Sequence, residues 1–157
     1  MKAAVFLEPG KMSITEVKKP ELEQADDAII RVLRASVCGS DLWWYRGIST
    51  KENGSLTGLN NSSGASSYQA EYLRYHGANW GLIKIPGKPE DYSEDMLNSF
   101  VALADVMATG YHAAISAEVK AGDTVVVIGD GAVGLCGVIS ARLLGAKRII
   151  AMSRHAE

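Results

Sequence analysis

The stretch TVVVIGDGAVGLCG, Thr124 to Gly137, decides the fold. Val125, Val126, Val127 and Ile128 follow one another without a polar break, the pattern of a strand covered on both faces in a parallel sheet. VGLCGVISARLLGA, apolar nearly all round, then predicts a helix, and RIIAMS, Arg148 to Ser153, a second strand. Strand, helix and strand within about thirty residues make one βαβ unit.

Between the first strand and the helix stands a Gly-x-Gly-x-x-Gly turn, a weak motif alone and a strong one in this setting. Gly129 allows the tight turn, Gly131 leaves room for a pyrophosphate to approach the backbone, and Gly134 lets helix and strand pack closely. The unpaired N–H groups that open the helix at Ala132 and Val133 would then face an anion. The bland alternative is a strand-to-helix turn that binds nothing. About 20 positions on, an NAD site carries an acid for the ribose 2'-hydroxyl. Ser153 holds that place, followed by Arg154 and His155, so a 2'-phosphate, and hence NADP, is favoured, unless Arg154 is only a solvated residue at a strand end.

Working outward, residues 2 to 38 read as β-structure: KAAVFL, a Pro9-Gly10 turn, SITEVK, and a long strand in DAIIRVLRASVC. YQAEYLRY alternates clearly, and GLIKIP reads as a short strand stopped by Pro86 and Gly87. From Ser93 the period changes: Met96, Leu97, Phe100, Val101, Leu103, Ala104 and Met107 recur at helical spacing, and Gly110 marks a break or a close approach. The division expected is a mainly β part over residues 1 to 95 and an α/β part over 96 to 157.

The 157 residues suffice for one compact domain or two small ones, and 47% apolar and 22% charged residues with a net charge of -2 are ordinary globular values. No basic stripe points to nucleic acid, and no run of about 18 apolar residues points to a membrane span. The opening apolar run is too short for a signal sequence, so a cytoplasmic protein is expected. Cys38 and Cys136 form no CxxC pair, which excludes a disulfide framework and a four-cysteine zinc lobe.

Four segments, MKAAVFLEPGKMSITEV, VCGSDLWWYRG, ALADVMATGYHAA and VVVIGDGAVGLCG with RIIAMSR, together resemble a zinc-dependent alcohol dehydrogenase of the medium-chain dehydrogenase/reductase superfamily. The resemblance implies a GroES-like β domain followed by a Rossmann domain, hydride transfer between a small alcohol or carbonyl compound and a nicotinamide, and homo-oligomers built on the Rossmann sheet. It places Cys38 and Asp105 as ligands of a catalytic zinc and Ser40 as the hydroxyl that bonds the substrate oxygen and relays its proton. A thiolate suits zinc as a soft, charged donor. His112 falls outside that ligand set, and Trp43, Trp44 and Tyr45 could wall a substrate pocket or fill core.

The family's GHE motif, which supplies a histidine ligand, would fall near Gly58-Leu59-Asn60. Thirteen of the eighteen residues from Thr50 to Ser67 are Gly, Ser, Thr or Asn, the composition of a flexible linker, so this stretch reads as a junction replacing a longer segment. Only two of the three protein ligands a catalytic zinc needs are recognisable. The sequence stops at Glu157, after the second strand, so the resemblance implies a partial Rossmann unit whose open sheet invites association. An NADP-preferring dehydrogenase impaired in this form is expected. The alternatives are a non-catalytic scaffold of the same ancestry and a zinc-free quinone or enone reductase.

Overall fold

A computed structural model describes residues 1–49 and 69–154; the linker expected over 50–67, with Gly58-Leu59-Asn60, and His155 lie outside the described residues. The chain divides into two compact units, Met1–Lys88 and Pro89–Glu157, a division seven residues before the one read from periodicity.

In the first unit β1 (Lys2–Glu8) and β2 (Lys11–Glu16) form an antiparallel hairpin in which Lys2 faces Glu16 and Phe6 faces Met12. Gly10 closes the turn at φ 78°, a left-handed conformation that costs glycine little. β3 (Ala28–Arg31) pairs antiparallel with β4 (Tyr72–Tyr75). Residues 69–71 tie β1 to this second ladder, because Gln69 O accepts from Ala4 N at 2.9 Å and Glu71 O accepts from Val32 N at 3.0 Å. Ala3, Val5, Phe6 and Leu73 form the buried core.

Two strand expectations fail here. The long strand ends at Arg31, because its partner β4 has four residues and the ladder runs out; beyond it Leu33 and Val37 are exposed. GLIKIP is no strand either: Ala78–Gly81 is a helical turn, α2, and the residues after it form no ladder. Alternation supplies a face, but a strand also needs a neighbour for its backbone groups, and Ile83, 91% exposed, has no face to bury. The short α1 (Asp41–Tyr45) follows the CGS segment.

Asp27 clasps this unit. Its Oδ2 accepts from Glu23 N and Gln24 N, both at 2.9 Å, its Oδ1 lies 3.2 Å from His76 Nδ1, and Arg74 lies 3.6 Å from Oδ2 while also pairing with Glu23. The backbone N–H of Glu23, with lesser help from Gln24, His76 and Arg74, holds the Asp27 carboxyl below the usual range against the opposing effect of burial. Asp26, Asp27 and His76 offer ligand atoms within 4.8 Å of one another. The Asp27 oxygens are already engaged by backbone N–H groups and a guanidinium, which makes the cluster a fold clasp and not a metal seat.

In the second unit Ser93 caps α3 (Glu94–Leu103), its Oγ accepting from Met96 N at 3.2 Å. The helical period read through to Met107 is interrupted: Asp105, at φ -140° and ψ -71°, separates α3 from α4 (Val106–Ser116). β5 (Thr124–Ile128), α5 (Ala132–Leu143) and β6 (Arg148–Met152) form the expected βαβ unit, with β5 and β6 parallel from Thr124 beside Arg148 to Ile128 beside Met152. β5 is covered on one face only. Val125 and Val127 are half-buried, whereas Val126 is 51% and Ile128 83% exposed, because the described residues supply no second layer over that face.

Gly110 marks a close approach. A Cβ there would stand 2.7 Å from Gly137 N and 2.9 Å from Cys136 Cβ, so α4 and α5 touch backbone to backbone. A Cβ on Gly137 would meet Val127 Cγ1 at 3.7 Å, an ordinary contact. Gly110→Ala is therefore expected to destabilise the protein by about 1–3 kcal/mol despite alanine's better helix propensity, while Gly137→Ala leaves stability unchanged or raises it by up to about 1 kcal/mol; urea denaturation of both variants checks the pair. Because the Asp27 pKa is lowered on folding, its contribution is present above the carboxyl's unfolded pKa and lost as pH falls through the folded value. Asp27→Asn should lower the urea midpoint at neutral pH and flatten its fall in the acid range.

Candidate functional site

Gly129 ends β5 at φ 117°, and its N–H donates to Met152 O at 2.8 Å, so the turn is stitched to the end of β6. At Gly134 a Cβ would collide with the Gly129 carbonyl oxygen and stand 2.8 Å from its carbonyl carbon. Only glycine permits that contact. Gly131 caps α5 with no side-chain hydrogen bond, and a Cβ on it would meet nothing within 4 Å. The first-turn N–H groups of Ala132, Val133 and Gly134 have no carbonyl four residues back within the helix. They open beside the bare Gly131 backbone, and nothing beside Gly131 blocks an anion from reaching them.

Turn, α4 and α5 also enclose an apolar groove of about 520 Å³ along β5, lined by Ala113, Val126, Val133 and Gly137 among others.

Ser153 follows β6 directly, where the ribose acid was sought, and Arg154 beside it is exposed. One partner was missed in the sequence. Ser153 Oγ lies 2.6 Å from Asp130 Oδ2, and since a carboxylate only accepts, the hydroxyl donates. The signal was available: an acid between the first two glycines, on the turn that is stitched to the second strand's end.

The other candidates lie in the first unit, except Asp105. Cys38 is half-buried just before α1; its N–H donates to Asp41 Oδ2 at 2.8 Å, and Asp41 N donates back to Cys38 O at 3.1 Å. Asp41 is buried at 8% exposure. Its Oδ1 and the Ser40 Oγ are buried without a hydrogen-bond partner among the described residues. Polar atoms left so are costly and fit a site that waits for a donor or a cation. Asp105, in the second unit, is exposed and accepts from Thr109 Oγ1 at 3.1 Å. Cys38 and Asp105 belong to separate units, and among the described residues no third ligand joins Cys38. His112 faces Ser116 Oγ at 3.4 Å within α4. Trp43 and Tyr45, 59% and 40% exposed, are not core.

No protein-family model matches the chain. It is 28% identical over 213 residues to the uncharacterized zinc-type alcohol dehydrogenase-like protein AdhB of Bacillus subtilis (strain 168), covering 97% of this chain and 55% of that protein. Over 105 residues it is 39% identical to the NADP-dependent isopropanol dehydrogenase of Clostridium beijerinckii, covering 66% of this chain and 28% of that protein. Among solved structures it superposes on the alcohol dehydrogenase TADH from Thermus sp. ATN1 with a TM-score of 0.85 at 26% identity, covering 99% of this chain and 59% of that one. The chain thus spans about half the length of the curated relatives it matches over most of its own length. Its fold class is the GroES-like β domain with a partial Rossmann βαβ unit. No helix among the described residues is long and apolar enough to cross a membrane.

Cys38 is half-buried and Cys136 buried. A thiol-specific reagent is expected to label one cysteine per native chain and the second only after denaturation, and Cys38→Ala to remove the native reaction.

Proposed function

We propose, from the premise that the chain's curated and structural neighbours are zinc-type alcohol dehydrogenases of the medium-chain dehydrogenase/reductase superfamily, that this protein binds an adenine dinucleotide at Gly129 to Gly134 and prefers NADP. One observation carries the reading. The turn holds glycine where a side chain would collide, at Gly134, and also where nothing would touch one, at Gly131. Packing explains the first. An approaching ligand accounts for the second.

Within that reading Ala132, Val133 and Gly134 receive the pyrophosphate on their N–H groups, and Ser153 and Arg154 meet the 2' side of the ribose, the guanidinium matching a phosphate's charge and geometry. A bound nicotinamide would supply or accept the hydride. The substrate class is a small alcohol or its carbonyl product, by likeness to the relatives. The Ser40 hydroxyl, buried without a partner among the described residues, is the group poised to bond the substrate oxygen and hand on its proton.

The metal half of the reaction is incomplete on the described residues. Cys38 and Asp105 stand in separate units without a third ligand, so no step is routed through zinc. That favours a second reading, nucleotide binding without turnover.

Two measurements separate these. NADPH fluorescence titration should show saturable binding that Gly131→Val weakens at least tenfold, about 1.4 kcal/mol, with a smaller loss of stability, since a Cβ there meets nothing within 4 Å and only the cap preference is lost. Equal loss of stability and binding would make the turn merely structural. Metal analysis of purified protein should find well under one zinc per chain and no alcohol oxidation. One zinc per chain, lost in Cys38→Ala, would instead restore the dehydrogenase mechanism.

A further inference from the structure

We infer that Asp130 is a specificity-determining residue that opposes the 2'-phosphate Arg154 attracts, leaving the ribose end of the site open to both NAD and NADP. The inference rests on the dinucleotide reading above and concerns a residue which that reading leaves idle.

Position comes first. The hydrogen bond from Gly129 N to Met152 O, 2.8 Å, fixes the residue after Gly129 beside the residue after Met152. Those two residues are Asp130 and Ser153, and their side chains meet at 2.6 Å. The contact therefore joins the glycine turn to the strand end where a ribose-binding acid is otherwise placed. Asp130 supplies from the turn the carboxylate that position 153 lacks. All three side chains, Asp130, Ser153 and Arg154, belong to exposed residues that solvent or a ligand reaches.

Chemistry gives the direction. A ribose 2'-hydroxyl is a donor, and an ionised Asp130 has lone pairs to accept it. A 2'-phosphate carries between one and two negative charges at neutral pH and accepts only. Beside Asp130 it meets a like charge, and the Ser153 hydrogen it would use is directed at Asp130 Oδ2. Arg154 pulls the other way. Two opposed charges at one exposed rim leave a small preference in place of a strict one.

Adenosine 5'-monophosphate and adenosine 2',5'-bisphosphate differ only at the 2' position, so the ratio of their Kd values isolates it. Calorimetry on the full chain at pH 7.5 should show Asp130→Asn, which keeps an acceptor oxygen and loses the charge, shifting this ratio about two- to fivefold toward the bisphosphate, the range of one screened charge, and the shift should shrink in 0.5 M salt. Arg154→Gln should shift it the opposite way. An unchanged ratio in Asp130→Asn overturns the inference. Failure of the parent chain to bind either nucleotide overturns the dinucleotide reading and this inference with it.

Discussion

The Gly129 carbonyl oxygen occupies the space that a side chain at residue 134 would need, and the second unit is arranged around that contact. It sets the angle at which α5 leaves β5, which in turn lets β6 return parallel to β5 in register from Thr124 and Arg148 to Ile128 and Met152. The same economy recurs at Gly110, where α4 meets α5 with no side chain between them. One backbone contact thus holds α5 against the turn that ends β5, and the other holds α4 against α5. Neither tolerates a methyl group without movement.

The layer of helices lies on one side. Val126, Ile128, Ile150 and Met152 expose between 44% and 83% of their surface on a two-stranded parallel sheet, and parallel sheets are ordinarily covered on both faces. Four consecutive apolar residues in β5 announce a strand meant for double burial. The described residues cover one half of it.

Around Cys38 the first unit shows a complementary incompleteness, of polar atoms in place of apolar surface. Asp41 is buried with one oxygen fixed on the Cys38 backbone, and neither its other oxygen nor the Ser40 hydroxyl has a partner among the described residues. Buried polar atoms of this kind normally find partners, because leaving them unmade costs more than a made bond returns. The glycine turn is finished by comparison: stitched from Gly129 to Met152 and capped by the bare backbone of Gly131.

What the residues alone determined follows from local physics. The βαβ unit, the tight turn at Gly129, the close packing at Gly134 and the turn at Gly10 each rest on a backbone conformation or a period that a short window contains. Tertiary structure decided what no window holds. The strand expected through Cys38 stops at Arg31 because its partner is four residues long, and GLIKIP stays out of any ladder because no neighbour pairs with it. The helical period over Met96 to Met107 breaks at Asp105 through a backbone conformation that hydrophobic spacing does not record. Likewise Asp130 reads as a spacer between glycines until the bond from Gly129 to Met152 sets it against Ser153. Hydrogen-bond partners distant in sequence are chosen by the assembled backbone, and that is why the pairing of Asp130 with Ser153 became visible only in the folded chain.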